Sequence, residues 1–86
     1  MASYTIEWRS SARRELKRLS PETISRIITA IGKLSNDPRP TGCSKLRGSE
    51  YTYRVRVGSY RVIYEILDKP LVVQIVRVRH RREAYR

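Results

Sequence analysis

The stretch from Tyr53 to Tyr64 concentrates the groups in this sequence most able to do chemistry: it reads Tyr-Arg-Val-Arg-Val-Gly-Ser-Tyr-Arg-Val-Ile-Tyr. In an extended segment successive side chains point to opposite faces, so Arg54 and Arg56 share one side while Tyr53, Val55 and Val57 share the other. Gly58-Ser59, a Gly-X pair between two runs rich in Val, Ile and Tyr, predicts a two-residue hairpin. Folding there can set Arg61 on the side of Arg54 and Arg56. A planar guanidinium grips phosphate oxygens through two parallel hydrogen bonds and stays charged. Several of them together suit a group that carries or develops negative charge on phosphorus, although a solvated strand face has the same alternation.

Breaking an RNA chain through its own 2′-hydroxyl needs a base for that hydroxyl, cations for the charge developing on phosphorus, and a proton for the departing oxygen. Arg54, Arg56 and Arg61 fit the second task. For the others the C-terminal stretch offers Tyr85 and His80. A phenol titrates at about 10 and acts as base only where cations lower that value; Arg81, Arg82 and Arg86 lie close by in sequence. Histidine is the side-chain type that titrates nearest neutrality. A tail tyrosine that only packs its ring and a histidine that only meets solvent are the alternatives, and residue chemistry leaves both open.

These groups need a scaffold. The 86 residues are read as one domain, 1–86, long enough to bury about 60–65% of the unfolded chain's surface around a single small core. The formal net charge is +11 and 40% of residues are hydrophobic, which is enough for a globule with a strongly basic surface. From Ser44 onward there are 11 basic and 4 acidic side chains, against 8 and 4 before it, so the later half carries most of the excess. That balance predicts fast, salt-sensitive association with polyanions, nucleic acid first and an acidic protein second. Cys43 and His80 are the only residues of their types, which leaves no disulfide framework and no zinc site of ordinary ligand count; no metal and no cofactor is expected. Cys43 reads as an inert loop thiol. There is no apolar signal region at the start and no run near the roughly 20 apolar residues of a membrane span, so a soluble, cytoplasmic protein is expected.

Taken in order, Ser3 to Trp8 alternates Tyr4, Ile6 and Trp8 against Thr5 and Glu7, a first strand with one buried face. Ser10 and Ser11 are candidate N-caps of a short helix, along which Ala12, Leu16 and Leu19 line one side. Ser20-Pro21-Glu22 combines a capping hydroxyl, a proline at the first helical position and an acid at the positive end of the dipole. Ile24, Ile27, Ile28, Ile31 and Leu34 then form an apolar stripe of helical period, ended by Asn36-Asp37-Pro38. A helical hairpin over about 11–35 is predicted. Residues 39–50, with Pro40, Gly42 and Gly48, read as a loop. After the central hairpin and a turn at Asp68-Lys69-Pro70, residues 71–78 give a last strand, with Val72, Gln74, Val76 and Val78 on one side and Val73, Ile75 and Arg77 on the other. The expected fold is α+β: a four-stranded, largely antiparallel sheet with an N-terminal helical hairpin packed on one face.

Four segments resemble, in order and spacing, the landmarks of the RelE/ParE toxin superfamily: Lys45-Leu46-Arg47-Gly48, Tyr53-Arg54-Val55-Arg56, Tyr60-Arg61-Val62-Ile63-Tyr64 and Val78-Arg79-His80-Arg81-Arg82-Glu83-Ala84-Tyr85. The likeness covers the whole chain and is closest to the RelE branch, the ribosome-dependent messenger-RNA endonucleases. It implies that Tyr85 deprotonates the 2′-hydroxyl, that Arg61 stabilises the phosphorane-like transition state, that Arg54 and Arg56 hold phosphate and lower the Tyr85 pKa, and that Arg81 acts at the leaving oxygen. His80 is the alternative acid if its ring turns inward. Arginines stand at 54 and 56 where the RelE toxin has lysines, which leaves the role of base to Tyr85, and Arg79 stands where many members have glycine. The likeness further implies contacts of Arg13, Arg14, Lys17, Arg18, Lys45 and Arg47 with ribosomal RNA phosphates. It also implies a RelB-like antitoxin with an acidic segment as partner, alongside ribosome and messenger RNA. For Arg13 to Arg18 a solvated helix face is the equal alternative.

Two rival functions fit the same fold. A ParE-like toxin inhibits DNA gyrase by binding protein and needs no cluster of Arg61, Arg81 and Tyr85. A basic module that only binds RNA needs no base.

Overall fold

The computed structural model of the chain describes residues 3–82. Its element order is β1 (Thr5–Trp8), α1 (Ser10–Lys17), α2 (Pro21–Lys33), β2 (Ser44–Lys45), β3 (Thr52–Val57), β4 (Tyr60–Asp68) and β5 (Leu71–His80). The strands form one five-stranded sheet in the order β1-β5-β4-β3-β2. The sheet has five strands rather than four and is mixed: three pairings are antiparallel, as expected, but β1 runs parallel to β5, from Thr5 opposite Val72 to Trp8 opposite Ile75. Alternation specifies a strand's two faces, not its neighbour or its direction, so this pairing is invisible in a single segment. The extra strand, β2, comes from the stretch read as loop; it is two residues long and pairs Ser44 with Arg54 and Lys45 with Tyr53. The helical pair follows β1, so it is not the N-terminal element.

The helices form largely as their patterns dictate. Ser20 caps α2, its hydroxyl oxygen accepting from the Thr23 amide at 3.3 Å, with Pro21 at the first helical position. Neither Ser10 nor Ser11 caps α1. Arg9 holds that position without a side-chain cap bond, and the Ser11 hydroxyl instead donates to the Val76 carbonyl at 3.0 Å. Ala12 and Leu16 of α1 and Ile27 and Ile31 of α2, with Leu34 just beyond it, meet Val62, Tyr64 and Ile66 of β4 and Val73, Ile75 and Val78 of β5 in one buried cluster. Both helices therefore cover the same face of the sheet, as expected. Ile28 departs from the stripe and stays 51% exposed. No helix among the described residues is long and apolar enough to cross a membrane.

Two local features orient the opposite face. At the β3–β4 hairpin Val57 pairs with Tyr60, so Gly58-Ser59 is a two-residue loop. Gly58 takes a φ of 59° while no non-glycine residue among those described has positive φ, the pattern of a turn with glycine at its first central position. On β5 the register slips: Ile63 lies opposite Arg77 but Tyr64 opposite Ile75, leaving Val76 as an extra residue. This bulge reverses the expected alternation. Val78 turns inward with Val73 and Ile75, while Arg77 and Arg79 turn outward, opposite Ile63 and Arg61.

A candidate phosphate-binding face

The face of the sheet away from the helices is arginine-rich because three strands contribute in register. Arg56 is the cross-strand partner of Arg61, and Arg61 in turn of Arg79, so three guanidinium-bearing positions stand abreast on strands that neighbour one another at about 4.8 Å. In the next row Arg54 and Arg77 flank Ile63. The expectation that Arg54, Arg56 and Arg61 share a side is met. Those three, with Gly42, Ser44 and Val55, line a cavity of ≈ 140 Å³. Gly42, with φ 94°, occupies a backbone region closed to most side chains.

The wall carrying Gly42 and Ser44 is held by tyrosines at the foot of the sheet. The Tyr64 hydroxyl donates to the Pro38 carbonyl at 2.7 Å, and burial pushes its phenol far above the ordinary value. Tyr53 and Tyr64 stack with ring centroids 6.1 Å apart. The Arg39 guanidinium lies 5.3 Å from the centre of the Tyr53 ring and its Nε donates to the Tyr53 hydroxyl at 3.2 Å; that bond raises the Arg39 pKa. Tyr4 donates to Asp68 at 2.7 Å, a bond that raises its own phenol. The loop after α2 is thereby tied to β3 and β4 before it delivers Ser44 to the cavity.

The remaining candidates are dispersed. His80 pairs with Tyr60 and meets its ring edge-on at 5.3 Å. It sits on the helix side, in a separate groove of ≈ 310 Å³ lined also by Glu15, Arg18, Leu19, Val78 and Arg79. Its Nδ1 accepts the Arg82 amide at 3.3 Å. Arg81 is exposed just past β5, its amide donating to the Ser59 carbonyl at 2.8 Å. Tyr85 lies outside the described residues. Lys45 takes the Tyr53 side of the sheet, so Ser44 rather than Lys45 lines the cavity. Arg47 is exposed in the following turn. The α1 basic cluster splits: Arg14 and Arg18 border a groove with Ser11, Glu15 and Arg77, and Arg13 and Lys17 are exposed but do not line it. Sequence reading missed Arg77 and Arg79, whose register positions lie on the outward face while their guanidiniums reach Glu15 of α1; strict alternation puts both on the helix side, and only the bulge reassigns them.

A small α+β platform with helices on one side and an arginine-lined cavity on the other defines a class of small basic α+β proteins, and similarity narrows it. The family model described as the ParE toxin of type II toxin-antitoxin systems, parDE, matches residues 6–85. Toxin RelG of Mycobacterium tuberculosis is 37% identical over 84 residues, covering 96% of this chain and 97% of that toxin. The mRNA interferase toxin RelE of Escherichia coli K12 is 26% identical over 87 residues, covering 96% and 90%. In the crystal structure of the toxin-antitoxin complex RelBE2 from M. tuberculosis, one chain superposes with a TM-score of 0.80 at 34% identity, covering 92% of this chain and 99% of that one. The chain belongs to the RelE/ParE toxin superfamily, in its RelE-like branch.

Proposed function

We propose that this protein is the toxin of a type II toxin-antitoxin system and a ribosome-dependent messenger-RNA endonuclease, acting in the cytoplasm and silenced by a RelB-like antitoxin with an acidic segment. The observation that carries this reading is the alignment of Arg56 with Arg61 on adjacent strands, beside Arg54, around one small cavity. Guanidinium groups held there meet a phosphate as fixed, charge-assisted donors that need no reorganisation as its charge grows. The relatives named RelE and RelG supply the biological setting.

In this reading Tyr85 takes the proton of the 2′-hydroxyl, the oxygen attacks the adjacent phosphorus, and the bond from phosphorus to the 5′-oxygen breaks. The products are a 2′,3′-cyclic phosphate and a 5′-hydroxyl end. Arg61 stabilises the five-coordinate phosphorus, Arg54 and Arg56 hold the non-bridging oxygens, and Arg81 hydrogen-bonds the leaving oxygen while solvent protonates it. His80, on the far side of the sheet with Nδ1 already accepting a bond, is the weaker choice for that last step. Arg13, Arg14, Lys17, Arg18, Lys45 and Arg47 are assigned to ribosomal RNA phosphates, and their exposure supports this.

The test is induction of the protein in growing cells followed by mapping of new 5′ ends. Cuts confined to translated messages, lost in Tyr85→Phe and Arg61→Ala, are expected. DNA damage with intact messages would instead favour gyrase inhibition, and persistence of toxicity in both variants would count against cleavage by this site.

A further inference from the structure

Among the described residues no strand lies beside the edge of β5 beyond its bulge, since β1 pairs only as far as Ile75. Helix α1 substitutes for one. Ser11 and Glu15, four residues apart and therefore on one helix face, take up the exposed backbone: Ser11 donates to the Val76 carbonyl at 3.0 Å, and Glu15 Oε1 accepts the Val78 amide at 2.9 Å. The other carboxylate oxygen of Glu15 meets both Arg77 Nη1 and Arg79 Nε at 3.4 Å. One carboxylate thus anchors two guanidiniums, and each arginine uses a single nitrogen in that ion pair. Their side chains remain 43% and 36% exposed.

The direction of that anchorage matters. Arg79 starts opposite Arg61, yet Glu15 draws its guanidinium toward the free edge of β5, away from the Arg54, Arg56 and Arg61 cavity. Arg79 and Arg61 consequently address different points along a bound strand, and Arg79 is held taut where an unpaired surface arginine would lose side-chain entropy on binding. We propose that Arg77 and Arg79, oriented by Glu15, form a second phosphate-binding position that holds the linkage next to the one cleaved at Arg61. Arg77 and Arg79 are substrate-binding residues in this scheme and Glu15 is a positioning residue. The proposal rests on the endonuclease reading above.

The test is cleavage of messenger RNA on programmed ribosomes, using substrates in which one linkage on either side of the cut carries an uncharged methylphosphonate. For the wild-type protein, neutralising one particular flanking linkage should lower kcat/KM by about tenfold, the scale of a lost charge-assisted hydrogen bond, mainly through KM. Arg79→Gln and the double variant Arg77→Gln/Arg79→Gln should show a similar loss on ordinary RNA and no further loss at that same linkage. Glu15→Gln, which keeps an oxygen for the Val78 amide, should cleave but discriminate less at that linkage. Equal kcat/KM for the double variant and wild type on ordinary RNA, or losses that multiply at every linkage, would overturn the second position while leaving the endonuclease intact. A wild-type protein that cuts no message overturns both.

Discussion

Arg56 and Arg61 face each other as cross-strand partners in the β3–β4 hairpin. Like charges placed directly opposite weaken a strand pair by a fraction of a kcal/mol, so the repulsion across this rung works against the pairing of β3 with β4. Arg56→Gln should raise folding stability by about 0.5 kcal/mol in low salt, with the gain shrinking as salt screens the repulsion, while RNA cleavage falls. Urea melts at two salt concentrations beside a cleavage assay check both halves. A variant that is less stable in low salt would show that the arginines support each other through bound groups.

Deleting Val76 should be among the most damaging changes in the chain. Without the bulge, Arg77 and Arg79 rotate toward the buried helix side and Val78 toward solvent. Burying unpaired guanidinium groups is strongly unfavourable, so a loss above about 4 kcal/mol, or no cooperative unfolding transition at all, is expected. Val76→Ala keeps the extra residue and should retain the fold. Thermal melts of the two proteins side by side decide it.

Tyr64 ties alkaline stability to the loop after α2. Its phenol is raised by burial first and by Cys43 next, so the folded state holds that proton more tightly than the unfolded one. Stability from this source is complete below the unfolded value of about 10 and is lost as pH rises beyond it. Tyr64→Phe should cost about 1–2 kcal/mol at neutral pH, because the Pro38 carbonyl loses its donor. The variant's urea midpoint should also fall less steeply above pH of about 10. Tyr4, raised by its bond to Asp68, accounts for some of the slope that remains.

Neighbouring isoleucines on α2 should behave very differently. Ile27 is fully buried and Ile28 is 51% exposed. Ile27→Ala should cost about 3 kcal/mol through lost burial and the cavity left behind. Ile28→Ala should cost less than about 1 kcal/mol, since alanine's better helix propensity offsets the small loss of contact. Equal costs in denaturant titrations would mean that Ile28 is covered in solution by something absent from the isolated chain.

Much of this protein is local and therefore legible in its letters. The Ser20-Pro21 helix start, the faces of β3 and β4 and the Gly58-Ser59 turn each depend on a few adjacent residues whose stereochemistry admits one arrangement. The sharing of a side by Arg54, Arg56 and Arg61 follows from the same alternation. Tertiary structure alone decided the rest. Parallel pairing of β1 with β5 joins segments more than sixty residues apart, and nothing in either states the direction of the other. The Val76 bulge exists because the β4 and β5 registers must satisfy one core on both sides of it; that slip carries Arg77 and Arg79 onto the cationic face and brings Glu15 of α1 to meet them. A strand's period tells which residues travel together, but which way they face after an irregularity depends on the partner strand.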